Sequence, residues 1–186
     1  NAVSIGIGGN DVGFADTVKQ CELADCTGAE FGTSVLIEGL RQKYVGMFQE
    51  IRTRVAPDAS IVAVGYPLLF SPTFNPVSLP CLPGFDAGEK AMVGRLGVQL
   101  NQVIEDAAAV AGIQFYDPNT RYTDNDRVCG SSEKINSVVL YSNDGDSPWN
   151  VLTNSYVTVP SRASFHPKES GHALIASDIA RMLAPD

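Results

Sequence analysis

The stretch Ser4-Ile-Gly-Ile-Gly-Gly-Asn-Asp-Val-Gly-Phe14 decides how this chain is read. Ala2 to Ile7 is a short apolar run with β-branched residues, and Gly8-Gly9-Asn10-Asp11 breaks it, so a strand runs into a tight loop. Asp11 is placed to cap a helix over about Val12 to Lys19. A buried strand that turns sharply into a helix is the first half of an α/β unit. The rest of the chain repeats the alternation.

Leu36, Leu40, Tyr44, Met47, Phe48, Ile51 and Val55 recur at three-to-four spacing and predict a long amphipathic helix, stopped at Pro57-Asp58. Ser60 to Gly65 reads as a second buried strand. Tyr66 to Phe85 is irregular and rich in proline and large apolar residues, which favours an acyl-chain wall. A helix over about Ala87 to Ala111, a strand over Ile113 to Tyr116 and a further loop-rich stretch lead to Ser164-Phe165-His166-Pro167. The last helix spans about Lys168 to Leu183. Strands alternating with helices predict a parallel sheet covered on both faces. With no repeat and no interdomain linker, residues 1–186 read as one domain.

A 186-residue chain with 44% hydrophobic and 18% charged residues can bury a real core. Its net charge of -8 argues against binding nucleic acid or an anionic membrane through bulk electrostatics. No apolar run approaches the ~18 residues of a membrane span, so no stable anchor is expected. The four cysteines, Cys21, Cys26, Cys81 and Cys129, are an even set and fit two disulfides in an oxidising compartment, which places the protein outside the cell. Cys21 and Cys26 are close enough to close a small loop, which leaves Cys81 with Cys129. Reduced thiols or a metal site are the alternatives, but zinc wants a second short-spaced pair and only one is present.

Two motifs carry chemistry. Asn10 offers a neutral side-chain N–H from the end of a rigid strand, suited to stabilising negative charge that develops on an oxygen, and Gly8 and Gly9 let backbone and substrate approach closely. His166 stands at the head of the last helix, a base able to take a hydroxyl proton and return it to a leaving alcohol. The other histidine, His172, falls inside that helix and reads as structural or surface.

Together SIGIGGNDVGF and SFHPKESGHALIA resemble the third and fifth conserved blocks of the SGNH (GDSL-type) hydrolases. VAVGYPLLF, the helix–strand unit from Leu100 to Tyr116 and the cysteine placement are similar to the secreted actinobacterial-type lipases and esterases of that family. The resemblance implies a flavodoxin-like three-layer α/β sandwich with strand order 2-1-3-4-5, of which this chain supplies the strands equivalent to 3, 4 and 5. It implies a carboxylic ester hydrolase acting through serine and histidine, with an ester as substrate and without metal or organic cofactor. The family commonly has Asp three residues before the histidine. Here that position is Ala163, so its carbonyl is expected to orient the ring instead.

The family's nucleophile sits in a G-D-S block on the first strand. The string Gly145-Asp146-Ser147 lies after the third strand and is followed by Pro148, so Ser147 does not match that position. The expectation is that the serine lies on an upstream segment of the same protein, and that this segment or another copy of the chain covers the edge of the Ala2–Ile7 strand. A binding module without a nucleophile, a carbohydrate O-acetyl esterase and an acyltransferase are the alternative readings.

Overall fold

Five β-branched or small residues in a row form the centre of the sheet, because a strand covered on both faces must be apolar throughout. β2 (Ser60–Val64) is that strand, with Ile61, Val62 and Ala63 at 3%, 0% and 0% exposure. It pairs in parallel with β1 (Ala2–Gly6) on one side and β3 (Gln114–Tyr116) on the other. The register sets Gly6 opposite Val64 and Val64 opposite Tyr116. The computed structural model describes residues 1–70, 85–137, 139–141, 149–150, 152, 155–156, 159–160 and 164–184.

α1 (Phe14–Leu23) and α2 (Glu30–Arg54) connect β1 to β2, and α3 (Ala87–Ala111) connects β2 to β3. Right-handed crossovers that advance one way along a sheet put their helices on one face. Accordingly α2 and α3 lie side by side, and Arg95 of α3 grips the Glu30 carboxylate of α2 through two bonds of 2.7 and 2.8 Å. Phe115 points to that face, where its ring would lie 2.9 Å from a Cβ on Gly65 and the Asn101 Oδ1 of α3 3.0 Å from it. Side chains alternate along a strand, so Tyr116 points the other way, and its hydroxyl donates to Asp178 of α4 (Glu169–Met182) at 2.8 Å. The architecture is a three-layer α/β sandwich with a parallel sheet, as the sequence implies.

The ends of α3 follow from sequence. Asp86 accepts from the Glu89 N–H and Glu89 accepts from the Asp86 N–H, both at 2.8 Å, and Gly112 closes the helix at φ 67°. The second Glu89 oxygen accepts the Cys26 N–H at 3.1 Å. One buried carboxylate thus ties the start of α3 to the loop closed by the Cys21–Cys26 disulfide, which forms as expected.

Three expectations change. Asp11 does not cap the first helix. α1 begins at Phe14 behind Gly13, and Asp11 instead accepts from Lys43 Nζ at 2.7 Å and the Tyr44 hydroxyl at 3.2 Å. α2 keeps Leu40, Tyr44, Met47, Phe48 and Ile51 on its buried side as its apolar spacing suggests, but leaves Leu36 58% exposed, with Ile37 buried instead. The loop-rich stretch before His166 contains two short antiparallel pairs, β4 (Leu140–Tyr141) with β7 (Val159–Pro160) and β5 (Trp149–Asn150) with β6 (Ser155–Tyr156). Among the described residues no helix is long and apolar enough to cross a membrane.

In the intact protein Glu89→Ala removes an acceptor from two backbone N–H groups, one of them buried. It should lower stability by about 2–4 kcal/mol. Urea unfolding with an unchanged midpoint would refute the bridging role of this carboxylate.

Candidate functional site

A parallel sheet gathers its binding groups at the carboxyl ends of its strands. At the end of β1 the chain turns at once, with the Asp11 N–H bonded to Gly8 O at 3.1 Å and the Phe14 N–H to Gly9 O at 3.1 Å. Gly8 adopts φ 124°, and a Cβ there would lie 2.9 Å from the Tyr44 hydroxyl oxygen, so only glycine fits. Asn10 stands exposed at the tip of this turn. On its far side Asp11 is drawn below the usual carboxylate range, chiefly by the hydrogen bond from Lys43. On its near side the Gly9 N–H donates to the Tyr66 hydroxyl at 3.1 Å.

Tyr66 follows β2 on the same rim. Beyond it, Leu68, Leu69, Phe70 and Phe85 are buried at 6%, 6%, 0% and 6% exposure. The two described ends of the apolar loop are therefore core, and any acyl-chain wall would fall on residues 71–84, outside the described residues. At the end of β3, Asn119 accepts the Leu68 N–H at 2.8 Å and donates to Tyr66 O at 3.0 Å. The buried Arg127 guanidinium donates to Leu68 O at 2.9 Å and to Asn119 Oδ1 at 3.0 Å. The loops after β2 and β3 are thereby locked together at the rim.

The His166 segment is tied to the loop after β2 through Phe165. Phe165 packs edge-on against Phe85, ring centroids 6.2 Å apart, and Phe85 lies 5.8 Å from Phe70. The histidine segment is pinned on its other side by residues 134–136. The Phe165 N–H donates to Asn136 O at 3.1 Å, the Asn136 N–H to His166 O at 2.9 Å, and the Lys168 N–H to Lys134 O at 2.8 Å. These bonds hold Phe165 at φ 62°, a left-handed conformation that costs a bulky residue about 1–2 kcal/mol. Ser164 is clamped as well, its hydroxyl accepting the Val139 N–H at 3.0 Å.

The His166 ring is exposed, with Nδ1 3.1 Å from Ser164 O. A carbonyl can only accept, so it selects the tautomer with the proton on Nδ1 and leaves Nε2 as the free base. The expected carbonyl was that of Ala163, which lies outside the described residues, as does Ser147. His172 is exposed on α4. Cys129 is disulfide-bonded, while its expected partner Cys81 lies outside the described residues. Cys21, Cys26 and Glu89 offer ligand atoms within 4.8 Å of one another, but the two sulfurs are bonded to each other and supply no thiolate for a metal. A groove of about 460 Å³ between α2 and α3, bordered by Glu30, Phe31, Arg95 and Gln99, includes neither Asn10 nor His166. Its charged groups, Glu30 and Arg95, pair with each other. Tyr66, Ser164 and Phe165 escaped the sequence reading. A tyrosine directly after a strand's last residue was the one available signal.

A three-layer α/β protein with a G-x-N-D turn after a strand and a histidine before its last helix is the class these features define. Residues 1–174 match the GDSL-like lipase/acylhydrolase family, and the chain belongs to that family. It is 31% identical over 140 residues to lipase 1 of Streptomyces coelicolor, covering 73% of this chain and 49% of that relative. It is 26% identical over 174 residues to a lipase of Streptomyces rimosus, covering 92% and 56%. The chain thus spans about half the length of the curated relatives it matches. The crystal structure of an extracellular lipase from Streptomyces rimosus shares the fold with a TM-score of 0.76 at 24% identity, over 99% of this chain and 69% of that one.

Asp126 steadies the segment that pins His166, since its carboxylate pairs with Lys134 and accepts from the Thr123 hydroxyl at 2.7 Å and the Thr123 N–H at 2.9 Å. Burial pushes its pKa up, but the Lys134 and Thr123 bonds outweigh that and hold it at about 2. The folded value lies below the unfolded ~3.9, so this stabilisation is complete above about pH 4 and is lost as pH falls towards 2. Asp126→Asn in the intact protein should cost about 1–2 kcal/mol at pH 7, with the gap to wild type narrowing below about pH 4. A gap independent of pH in urea unfolding would refute this account.

Proposed function

We propose that this chain is the histidine- and oxyanion-bearing part of a secreted carboxylic ester hydrolase of the lipase/esterase type. The observation that supports this most is the His166 ring, held by Ser164 O in the tautomer that leaves Nε2 free. A serine from the part of the protein outside these 186 residues attacks the acyl carbonyl. Nε2 of His166 takes its proton, and the Asn10 side-chain N–H donates to the oxygen that becomes negative. As the C–O bond to the alcohol breaks, His166 returns the proton to the leaving oxygen. Water then attacks the acyl-serine with His166 again as base, releasing the acid and restoring the serine hydroxyl. Ser164 O replaces a carboxylate as the ring's orienter, so the arrangement is a dyad supported by a backbone carbonyl.

Two further features support the wider reading. Secretion is consistent with the disulfide-bonded Cys21, Cys26 and Cys129 and with the extracellular lipase that shares the fold. A covering segment of the same protein, or a second copy of this chain, fits β1. Its side chains alternate between exposed and half-buried, whereas β2 is buried throughout its middle.

In the protein that includes the upstream serine, Asn10→Ala should lower ester turnover by roughly 10²-fold or more with the fold retained. His166→Ala should remove most activity and Ser147→Ala should change little. Steady-state hydrolysis of a soluble aryl ester checks all three, and a Ser147 variant as inactive as the His166 variant would reassign the nucleophile.

The 186-residue chain on its own should associate through β1 and should not hydrolyse the same ester. A monomer on gel filtration with full activity would overturn both the external serine and the covered edge.

A further inference from the structure

We propose that Tyr66 is a positioning residue for the oxyanion turn, its hydroxyl fixing Gly9 so that the Asn10 amide is held where the developing negative charge will lie. This rests on the role of Asn10 given above. The turn needs such a fixture. Gly8 and Gly9 precede Asn10, and two successive glycines leave the backbone free to adopt many conformations. The hydrogen bonds within the turn close it but do not tie it to the sheet. Two side chains do. Asp11 is held by Lys43 and Tyr44 of α2, at 2.7 and 3.2 Å, and Gly9 is held by Tyr66 at 3.1 Å. Asn10 is bracketed between these anchors.

The Tyr66 anchor is itself rigid. Its backbone N–H donates to Asn101 Oδ1 and its carbonyl accepts from Asn101 Nδ2, each at 2.8 Å, so one buried amide of α3 grips both sides of the residue. Asn119 adds a third bond to the same carbonyl at 3.0 Å. The ring lies alongside Gly9, where a Cβ would sit 3.5 Å from Cε1, Cζ and the hydroxyl oxygen. Burial raises the pKa of the phenol, which keeps it neutral across the pH range in which a histidine base works. Position therefore passes from α3 through the Tyr66 backbone and its hydroxyl to Gly9, and from there to the next residue, Asn10. A donor displaced by a fraction of an ångström loses much of its effect on the transition state while the ground-state ester binds as before.

The test uses the protein that includes the upstream serine, in four forms: wild type, Tyr66→Phe, Asn10→Ala and the double variant. Tyr66→Phe keeps the ring and removes one oxygen. It should lower kcat about tenfold with KM changed less than twofold, and should weaken a boronic acid that mimics the tetrahedral species by the same factor. In the Asn10→Ala background the same substitution should have no further effect, because Tyr66 acts through Asn10. Replacing Tyr66 by 3-fluorotyrosine, which keeps the shape but weakens the oxygen as an acceptor, should give an intermediate kcat. That variant carries the test if Tyr66→Phe fails to fold. An equal tenfold loss in both backgrounds would overturn the proposal in favour of a direct contact with substrate. Unchanged kcat in Tyr66→Phe, or a lower unfolding midpoint as its only effect, would overturn it too. If Asn10→Ala alone leaves kcat unchanged, the oxyanion assignment falls first, and the positioning role falls with it.

Discussion

Three parallel strands in register, with Gly6 opposite Val64 and Val64 opposite Tyr116, bring the ends of β1, β2 and β3 to one rim. The remaining features of the site depend on that alignment. A shift of one residue would turn each strand's side chains to the opposite face, placing Tyr116 towards α3 and Phe115 towards α4. Neither place suits the new occupant. Gly65 leaves room on the α3 face for the Phe115 ring, and Asp178 on the other face awaits a hydroxyl donor. Packing on both faces therefore enforces the register, and the register in turn sets Tyr66 beside Gly9 and Asn119 beside Tyr66.

The two functional motifs are stabilised in different ways because they face different mechanical problems. The Asn10 turn is glycine-rich and must lose freedom, so it is tied at both neighbours by side chains from α2 and from the loop after β2. The His166 segment has the opposite problem. Phe165 is forced into a conformation that its side chain disfavours, and a network of backbone bonds to residues 134–136 has to outweigh the cost. Strain of this kind persists only where the surroundings over-determine it. Its effect is to turn the Phe165 ring onto Phe85 while the next residue projects its imidazole away from the core, where the ring stays exposed.

Much of this was legible in the sequence wherever the signal was local. Asp86 and Glu89 at one end and Gly112 at the other bound α3 where the sequence places it, and the alternation of strands and helices gave the layers. What escaped involved partners distant along the chain. Asp11 has the chemistry of a helix cap, but Lys43 and Tyr44 compete for it with an ammonium and a phenol, and a carboxylate gains more from the charged donor. Leu36 fits the apolar spacing of α2, but Ile37 takes the buried place beside it. Tyr66 reads as one more apolar loop residue until the fold sets its hydroxyl against the Gly9 N–H. The carbonyl that orients His166 is hidden for another reason. Any backbone oxygen looks alike in a sequence, and only the left-handed turn at Phe165 decides which one faces the ring.

The same reasoning explains why Asn10 and His166 are found near opposite ends of the chain. The turn after β1 is built where a strand ends, and His166 sits in a segment outside the sheet's hydrogen-bond ladder. The last connection before α4 provides such a segment. Its position is set by Ile135, fully buried and bridged to Pro167, and by the rings of Phe165 and Phe85 rather than by strand pairing.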